Sequence, residues 1–178
     1  DLLKHMTDGA ELNLGTQNGD VVKSDLTKLE DSHILLSGPP CPPNGNKNST
    51  NDKRSTVFHK VLQVIIYLAQ RGLLAFIIEN VYGILSAWAG REPYIHTVRD
   101  ALHSVLPEWN ITIEVVQASK LGLPQERKRV LLVGVRKIGR APPRGRARAP
   151  ARSPFLFICH RFGLNLGQLW ALFGIAVV

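Results

Sequence analysis

The chain has 178 residues, of which 44% are hydrophobic and 20% charged, a globular composition that fits one domain and excludes an intrinsically disordered protein. The net charge of +8, with 22 basic against 14 acidic residues, points to a polyanionic partner such as nucleic acid. Two cysteines, Cys41 and Cys159, are too few for a disulfide-stapled secreted scaffold, so we expect an intracellular protein, nuclear if the source is eukaryotic.

Short apolar runs alternate with helical patterns in the first three quarters of the chain. The predicted elements are a strand over Ile34–Leu36, a helix over Val57–Gln70, a strand over Leu73–Ile78, a helix from Pro93 to about Leu106, and strands over Ile111–Val116 and Val130–Val135. Strands that are apolar on both faces and separated by helices indicate an α/β fold, with a mostly parallel sheet flanked by helices. In such sheets, chemistry gathers beyond the carboxyl ends of the strands.

Beyond Arg136 the sequence changes character, which divides the chain into a body (residues 1–136), a linker (137–154) and an apolar end (155–178). The linker holds six basic residues and no acid in an Arg/Pro/Gly-rich tract, which predicts disorder. Seven of the basic residues follow Arg136, so the body carries 15 basic against 14 acidic side chains. The role of the apolar end stays open between a membrane anchor and a mis-spliced or frame-shifted terminus.

Cys41 is the first residue with candidate chemistry, in the loop Gly38-Pro39-Pro40-Cys41-Pro42-Pro43 that follows the first strand. A lone cysteine is by default a small core residue. Four prolines and a glycine form a rigid loop, however, and such a loop at a strand end can hold a nucleophile exposed. A reactive thiol needs a lowered pKa or a nearby base, so we expect a cationic neighbour.

Two further groups lie at the ends of predicted strands. Glu79 follows the run that ends at Ile78; it is either a solvated strand end or, if partly buried, a carboxyl with a raised pKa that holds a proton near neutral pH. Arg127 and Arg129 precede the last strand and share one face in an extended chain. They form either a charged strand entry or two guanidinium groups aimed at an anion or a carbonyl oxygen.

These motifs, in this order and at this spacing, resemble the DNA (cytosine-5) methyltransferase family over about residues 19–136. Pro39-Pro40-Cys41 resembles the family's Pro-Cys motif, Glu79-Asn80-Val81 its Glu-Asn-Val motif, and Gln125-Glu126-Arg127-Lys128-Arg129, after Gly122-Leu123-Pro124, its Gln-x-Arg-x-Arg motif. The resemblance implies a Rossmann-like S-adenosylmethionine-dependent methyltransferase fold, here incomplete at both ends.

By the same resemblance, the reaction is methyl transfer from S-adenosylmethionine to C5 of a cytosine flipped out of DNA. It implies that Cys41 adds to C6 of the base, that Glu79 holds N3 and N4 and supplies a proton, and that Arg129 and Arg127 contact O2 and the neighbouring backbone. The implied cofactor contacts are Asp20, Val21, Pro40 and Val57. The implied substrate contacts are Pro40, Asn80, Val81 and Gln125, and no metal is implied.

The sequence departs from the family at both ends and in the loop after Cys41. The Phe-x-Gly-x-Gly cofactor loop is not identifiable in residues 1–18, and no target-recognition domain follows Arg136. We therefore interpret the chain, which begins at Asp1, as a truncated or impaired form. Three alternatives stay open: tRNA methylation with the same residues, a non-catalytic nucleic-acid-binding remnant that uses the Arg tract, and a protein tethered to a membrane by residues 155–178.

Overall fold

The structure is a computed structural model that describes residues 21–42, 53–87, 90–121 and 125–137. The described elements are β1 (Ile34–Ser37), α1 (Lys53–Ala69), β2 (Ala75–Val81), α2 (Tyr94–Val105), β3 (Trp109–Gln117) and β4 (Lys128–Arg136), with short 3₁₀ turns at Val21–Lys23, Leu26–Lys28, Tyr82–Leu85 and Ala118–Leu121. The strands form one sheet in the order β1-β2-β4-β3. This is the α/β class that the sequence predicts.

Three of the four described strands run in the same direction, and β4 runs the opposite way between β2 and β3. β1 pairs with β2 in parallel, whereas β4 is antiparallel to both of its neighbours. The expectation of a mostly parallel sheet is therefore corrected at β4, and the described sheet is mixed. The reason is the connection: α1 and α2 supply the long crossovers that parallel strands need, while the shorter segment 118–127 turns the chain back into β4.

Alternation of side chains gives the sheet two faces, and both described helices pack on the same one. Phe76 and Ile78 of β2 and Leu132 of β4 form one buried cluster with Ile65 of α1 and Ile95 of α2. The helices supply the apolar residues of this cluster at helical spacing, as the sequence pattern predicts. This packing holds β2 and β4 together beneath the site described below.

β2 and β4 extend past the predicted strands at the ends that carry candidate residues. The apolar run of β2 ends at Ile78, but the strand continues because Asn80 and Val81 pair with Val130 and Arg129 of β4. β4 correspondingly begins at Lys128. Glu79 and Arg129 are therefore held by the backbone ladder and are not loop residues.

Helix α1 begins at Lys53, four residues before the predicted start at Val57. α2 occupies the predicted position, with Pro93 immediately before its first turn. Residues 1–20, the linker after Lys137 and the apolar end 155–178 lie outside the described residues. No helix in the described ranges is long and apolar enough to cross a membrane.

Gly134 lies opposite Phe76 in the β2–β4 ladder, and a Cβ at this position would overlap the Phe76 ring. That ring packs on Trp109, with the ring centroids 5.6 Å apart, and both side chains are fully buried. Because the ring cannot move aside freely, we expect Gly134→Ala to lower the free energy of unfolding by about 1–3 kcal/mol. Urea denaturation measures this change.

Gly83→Ala is the matched control, because a Cβ at Gly83 would meet no heavy atom within 4 Å. We expect it to change stability by less than about 0.5 kcal/mol. The double variant Phe76→Leu/Gly134→Ala should be less destabilised than the sum of the two single variants, since leucine leaves room for the new methyl group. Equal effects of the two glycine substitutions would contradict this packing.

Candidate active site

A carboxylate and a guanidinium group meet where β2 ends and β4 begins. Glu79 Oε1 lies 2.6 Å from Arg129 Nε, and the two side chains are 11% and 7% exposed. Arg129 Nε makes no hydrogen bond within the described residues, so the contact is an ion pair rather than a directed hydrogen bond. The register explains the meeting: Arg129 pairs with Val81, whose side chain lies on the same face of β2 as Glu79.

Of the two predicted arginines, Arg127 is exposed to solvent and Arg129 is buried next to Glu79. Burial raises the pKa of the Glu79 carboxyl, and the positive charge of Arg127 opposes that rise. Arg127 is exposed and lies just before β4, whereas Arg129 is buried within it. A carboxyl whose pKa is raised can hold and release a proton closer to neutral pH, which is what general acid catalysis requires.

Cys41 lies on the loop after β1, half-buried against the hydrophobic core. Its Sγ donates to the Pro42 carbonyl oxygen at 3.4 Å. Burial raises the pKa of the Cys41 thiol, and the charge of Arg54, in the first turn of α1, lowers it. Arg54 is thus the cationic neighbour that a reactive thiol requires. Sequence reasoning did not name it, because the predicted helix begins only at Val57, after Arg54.

Asn80 ties the Cys41 loop to β2. Its Nδ2 donates to the Pro39 carbonyl oxygen at 3.0 Å, and its Oδ1 accepts from the Val81 backbone N–H at 2.9 Å. The residue is only 3% exposed. Because Pro39 precedes Cys41 in the same rigid loop and Asn80 adjoins Glu79, this hydrogen bond fixes the loop relative to the carboxyl. The predicted substrate contact of Asn80 stays a prediction.

The other predicted substrate contacts are Val81, Gln125 and Pro40. Val81 is 40% exposed at the end of β2. Gln125 is half-buried just before β4, and Pro40 is exposed beside Cys41. In the described ranges, no three His, Cys, Asp or Glu side chains are placed to hold a metal ion.

The predicted cofactor contacts are Asp20, Val21, Pro40 and Val57, of which Asp20 lies outside the described residues. Val21 is 39% exposed in a 3₁₀ turn that contacts α1, the helix that carries the half-buried Val57. Lys60 of α1 holds this N-terminal segment by donating from Nζ to the Ser24 carbonyl oxygen at 2.8 Å. An exposed apolar side chain held against a helix fits the packing surface that an adenine ring needs.

The chain is similar in sequence to proteins of one known family. The family model described as C-5 cytosine-specific DNA methylase matches residues 10–149, more than half of the chain. The chain is 29% identical to Type II methyltransferase M.BsuFI of Bacillus subtilis over 136 residues, covering 74% of this chain and 31% of that protein. It is 32% identical to Type II methyltransferase M.SsoII of Shigella sonnei over 125 residues, covering 67% and 31%. The chain thus spans about a third of the length of these relatives.

A solved structure of a mutant of Spodoptera frugiperda DNMT2 is similar to this chain, with a TM-score of 0.51 and 22% sequence identity. The match covers 77% of this chain and 40% of that one. At this level of identity the similarity concerns the fold alone. It confirms the predicted Rossmann-like methyltransferase fold.

The hydrogen bond from Asn80 to Pro39 should contribute measurably to stability. Asn80→Ala leaves the Pro39 carbonyl oxygen and the Val81 N–H without this partner, so we expect the free energy of unfolding to fall by about 1–3 kcal/mol. Asn110→Ala, at an exposed position on β3, is the control and should change it by less than about 0.5 kcal/mol. Urea denaturation of the two variants gives the comparison, and equal changes would contradict a role for Asn80 in holding the loop.

The reactivity of the Cys41 thiol should depend on Arg54. Because the thiolate is the reactive form, the rate of alkylation by iodoacetamide should rise with pH, and Arg54→Gln should move the midpoint of that rise to higher pH. The measurement uses a Cys159→Ser background, which leaves Cys41 as the single thiol. Lys53→Gln removes the neighbouring charge on α1 as a control, and a shift as large as that of Arg54→Gln would show that the effect is not specific.

Proposed function

The chain belongs to the C-5 cytosine-specific DNA methylase family, and we propose on this basis that the whole protein transfers a methyl group to C5 of cytosine in DNA through a covalent intermediate on Cys41. The observation that carries the proposal is that the Cys41 loop and the Glu79–Arg129 pair lie at the same edge of the sheet. β1 and β2 are parallel, and Ser37 pairs with Ile78, so the loop that carries Cys41 leaves the sheet beside Glu79. Asn80 then holds this loop to β2.

Cys41 would act as the nucleophile. C5 of cytosine is a weak nucleophile toward a methyl donor, because the C5=C6 electrons are delocalised in the aromatic ring. The Cys41 thiolate donates an electron pair to form the S–C6 bond, and the electrons of the C5=C6 double bond move to C5, which becomes enamine-like. The charge of Arg54 favours the thiolate form that this step requires.

Glu79 would hold the proton that the ring needs as it gains electrons. A neutral carboxyl donates to N3 of the base when the thiolate adds, and takes the proton back when the thiolate leaves. Burial favours this neutral form. The Arg129 guanidinium group, 2.6 Å from Glu79 Oε1, would orient the carboxyl, and Arg129 and Arg127 would contact O2 of the base and the neighbouring backbone.

Val21, Pro40 and Val57 would contact the cofactor S-adenosylmethionine, together with Asp20. When bound, this cofactor supplies an electrophilic methyl group. C5 would bond to this methyl group with the electron pair that the Cys41 addition released, while the bond from the methyl group to the cofactor sulfur would break and leave its electron pair on the sulfur. Loss of the C5 proton to a base then restores the C5=C6 double bond and expels the Cys41 thiolate.

We further propose that this chain by itself binds S-adenosylmethionine weakly, because the cofactor loop expected in the family is not identifiable in its sequence. Isothermal titration calorimetry of the 178-residue chain measures this affinity. Micromolar binding would contradict the proposal.

Covalent trapping tests the proposed mechanism. A duplex oligonucleotide with 5-fluorocytosine at the target position blocks the final step, because fluorine cannot leave C5 as a proton does. With millimolar S-adenosylmethionine, we expect a gel-stable adduct that forms in the Cys159→Ser control and is lost in Cys41→Ser. Glu79→Gln should slow adduct formation by about 10²- to 10⁴-fold, since the proton donor is lost.

The same gel separates the alternatives. An adduct that survives Cys41→Ser would overturn the assignment of Cys41 as the nucleophile. The absence of an adduct with any substrate would overturn the catalytic proposal and favour a non-catalytic nucleic-acid-binding protein. A 5-fluorocytosine-substituted tRNA run in parallel tests the substrate class. An adduct with tRNA and none with DNA would move the activity to RNA.

A further inference from the structure

Two exposed side chains lie at the same end of β2 and β4 as the Glu79–Arg129 ion pair and have no part in the chemistry above. Lys128 Nζ lies 5.5 Å from the centroid of the Tyr82 ring. Tyr82 is 49% exposed, and Lys128 is exposed as well. Tyr82 directly follows β2, and Lys128 begins β4 next to Arg129, so the pair lies at the same edge of the sheet as the ion pair.

The contact between Lys128 and Tyr82 restricts an otherwise flexible cation. A lysine side chain on a surface samples many rotamers, and attraction to the face of an aromatic ring favours those that place the ammonium over it. An ammonium group has three N–H donors and no acceptor, so it remains able to bind an anion from the solvent side. The ring therefore positions a positive charge at the edge of the site.

The start of β4 brings three basic side chains to this edge against the carboxylates of Glu79 and Glu126, which leaves a small excess of positive charge. Arg127 is exposed immediately before Lys128. The nearest carboxylate in sequence, that of Glu126, accepts a hydrogen bond from Gln117 Nε2 at 2.9 Å. The Glu79 carboxylate is in contact with Arg129. A strand of nucleic acid that presents a base to Glu79 would bring its phosphates, one per nucleotide, to this edge.

We propose that Tyr82 and Lys128 bind the nucleic-acid strand next to the target cytosine. Lys128 contacts a backbone phosphate, and the Tyr82 ring packs against the nucleotide beside the flipped base. Both contacts are independent of sequence, so they position the strand rather than select a target. This inference rests on the proposed function, since it takes the site at Glu79 to be where the base binds.

Salt dependence of binding tests the phosphate contact. Fluorescence anisotropy with a labelled duplex oligonucleotide gives the association constant of the full chain at several salt concentrations. Loss of one phosphate contact in Lys128→Gln should reduce the slope of log K against log salt by about 0.9. Lys137→Gln removes an exposed lysine just beyond the opposite end of β4 and should leave the slope unchanged.

Substitution of Tyr82 tests the role of the ring. Tyr82→Leu should weaken binding about five-fold or more, because stacking and the positioning of Lys128 are both lost. Tyr82→Phe, which keeps the ring, should bind as the unsubstituted chain does. The effects of Tyr82→Leu and Lys128→Gln should be less than additive, since the two side chains act as a pair. Thermal unfolding of each variant checks that the fold is retained.

The outcomes separate this inference from the proposed function. Equal slopes for Lys128→Gln and Lys137→Gln, with the covalent adduct still formed, would overturn the inference and leave the catalytic proposal intact. A reduced slope for Lys128→Gln without an adduct would support the nucleic-acid contact and count against catalysis. No binding of the oligonucleotide by the unsubstituted chain would overturn both.

Discussion

The antiparallel ladder between β2 and β4 determines where the candidate groups lie. Its register pairs Val81 with Arg129, which brings the acidic end of β2 against the basic start of β4. A shift of one residue would turn Arg129 to the opposite face and separate it from Glu79, because side chains alternate along a strand. The buried side chains of the ladder oppose such a shift, and the fit of the Phe76 ring over Gly134 allows one register at that point.

Burial acts on Cys41 and Glu79 in the same direction, but the consequences for catalysis are opposite. In both groups burial raises the pKa and an arginine charge lowers it. A raised pKa suits Glu79, because a carboxyl that keeps its proton can donate it. It hinders Cys41, because the neutral thiol is a poor nucleophile. The proposed chemistry therefore depends more on the charge of Arg54 beside Cys41 than on the charge of Arg127 beside Glu79.

Two different polar contacts hold the two groups in place. The ion pair with Arg129 orients the Glu79 carboxyl, and since the desolvation of a buried ion pair offsets much of its attraction, it adds little to stability. The Cys41 loop is held by a hydrogen bond from the buried Asn80 amide. Since Asn80 and Glu79 are neighbours on β2, one strand positions both the nucleophile loop and the acid.

The sequence by itself determined the α/β class, the order of the elements and the three motifs that identify the family, because hydrophobic periodicity and short motifs are local properties of the chain. Resemblance to the family further implied that Glu79 and Arg129 contact the same base. Only the tertiary structure decided the reversed direction of β4, the partner of Asn80 and the charges beside Cys41 and Tyr82. These depend on contacts between residues far apart in the chain, such as Asn80 and Pro39, which no local pattern records. The same limit applies to charge. Most of the net charge of +8 lies beyond Arg136, whereas strand pairing brings Arg129 to the site within a body that is nearly neutral.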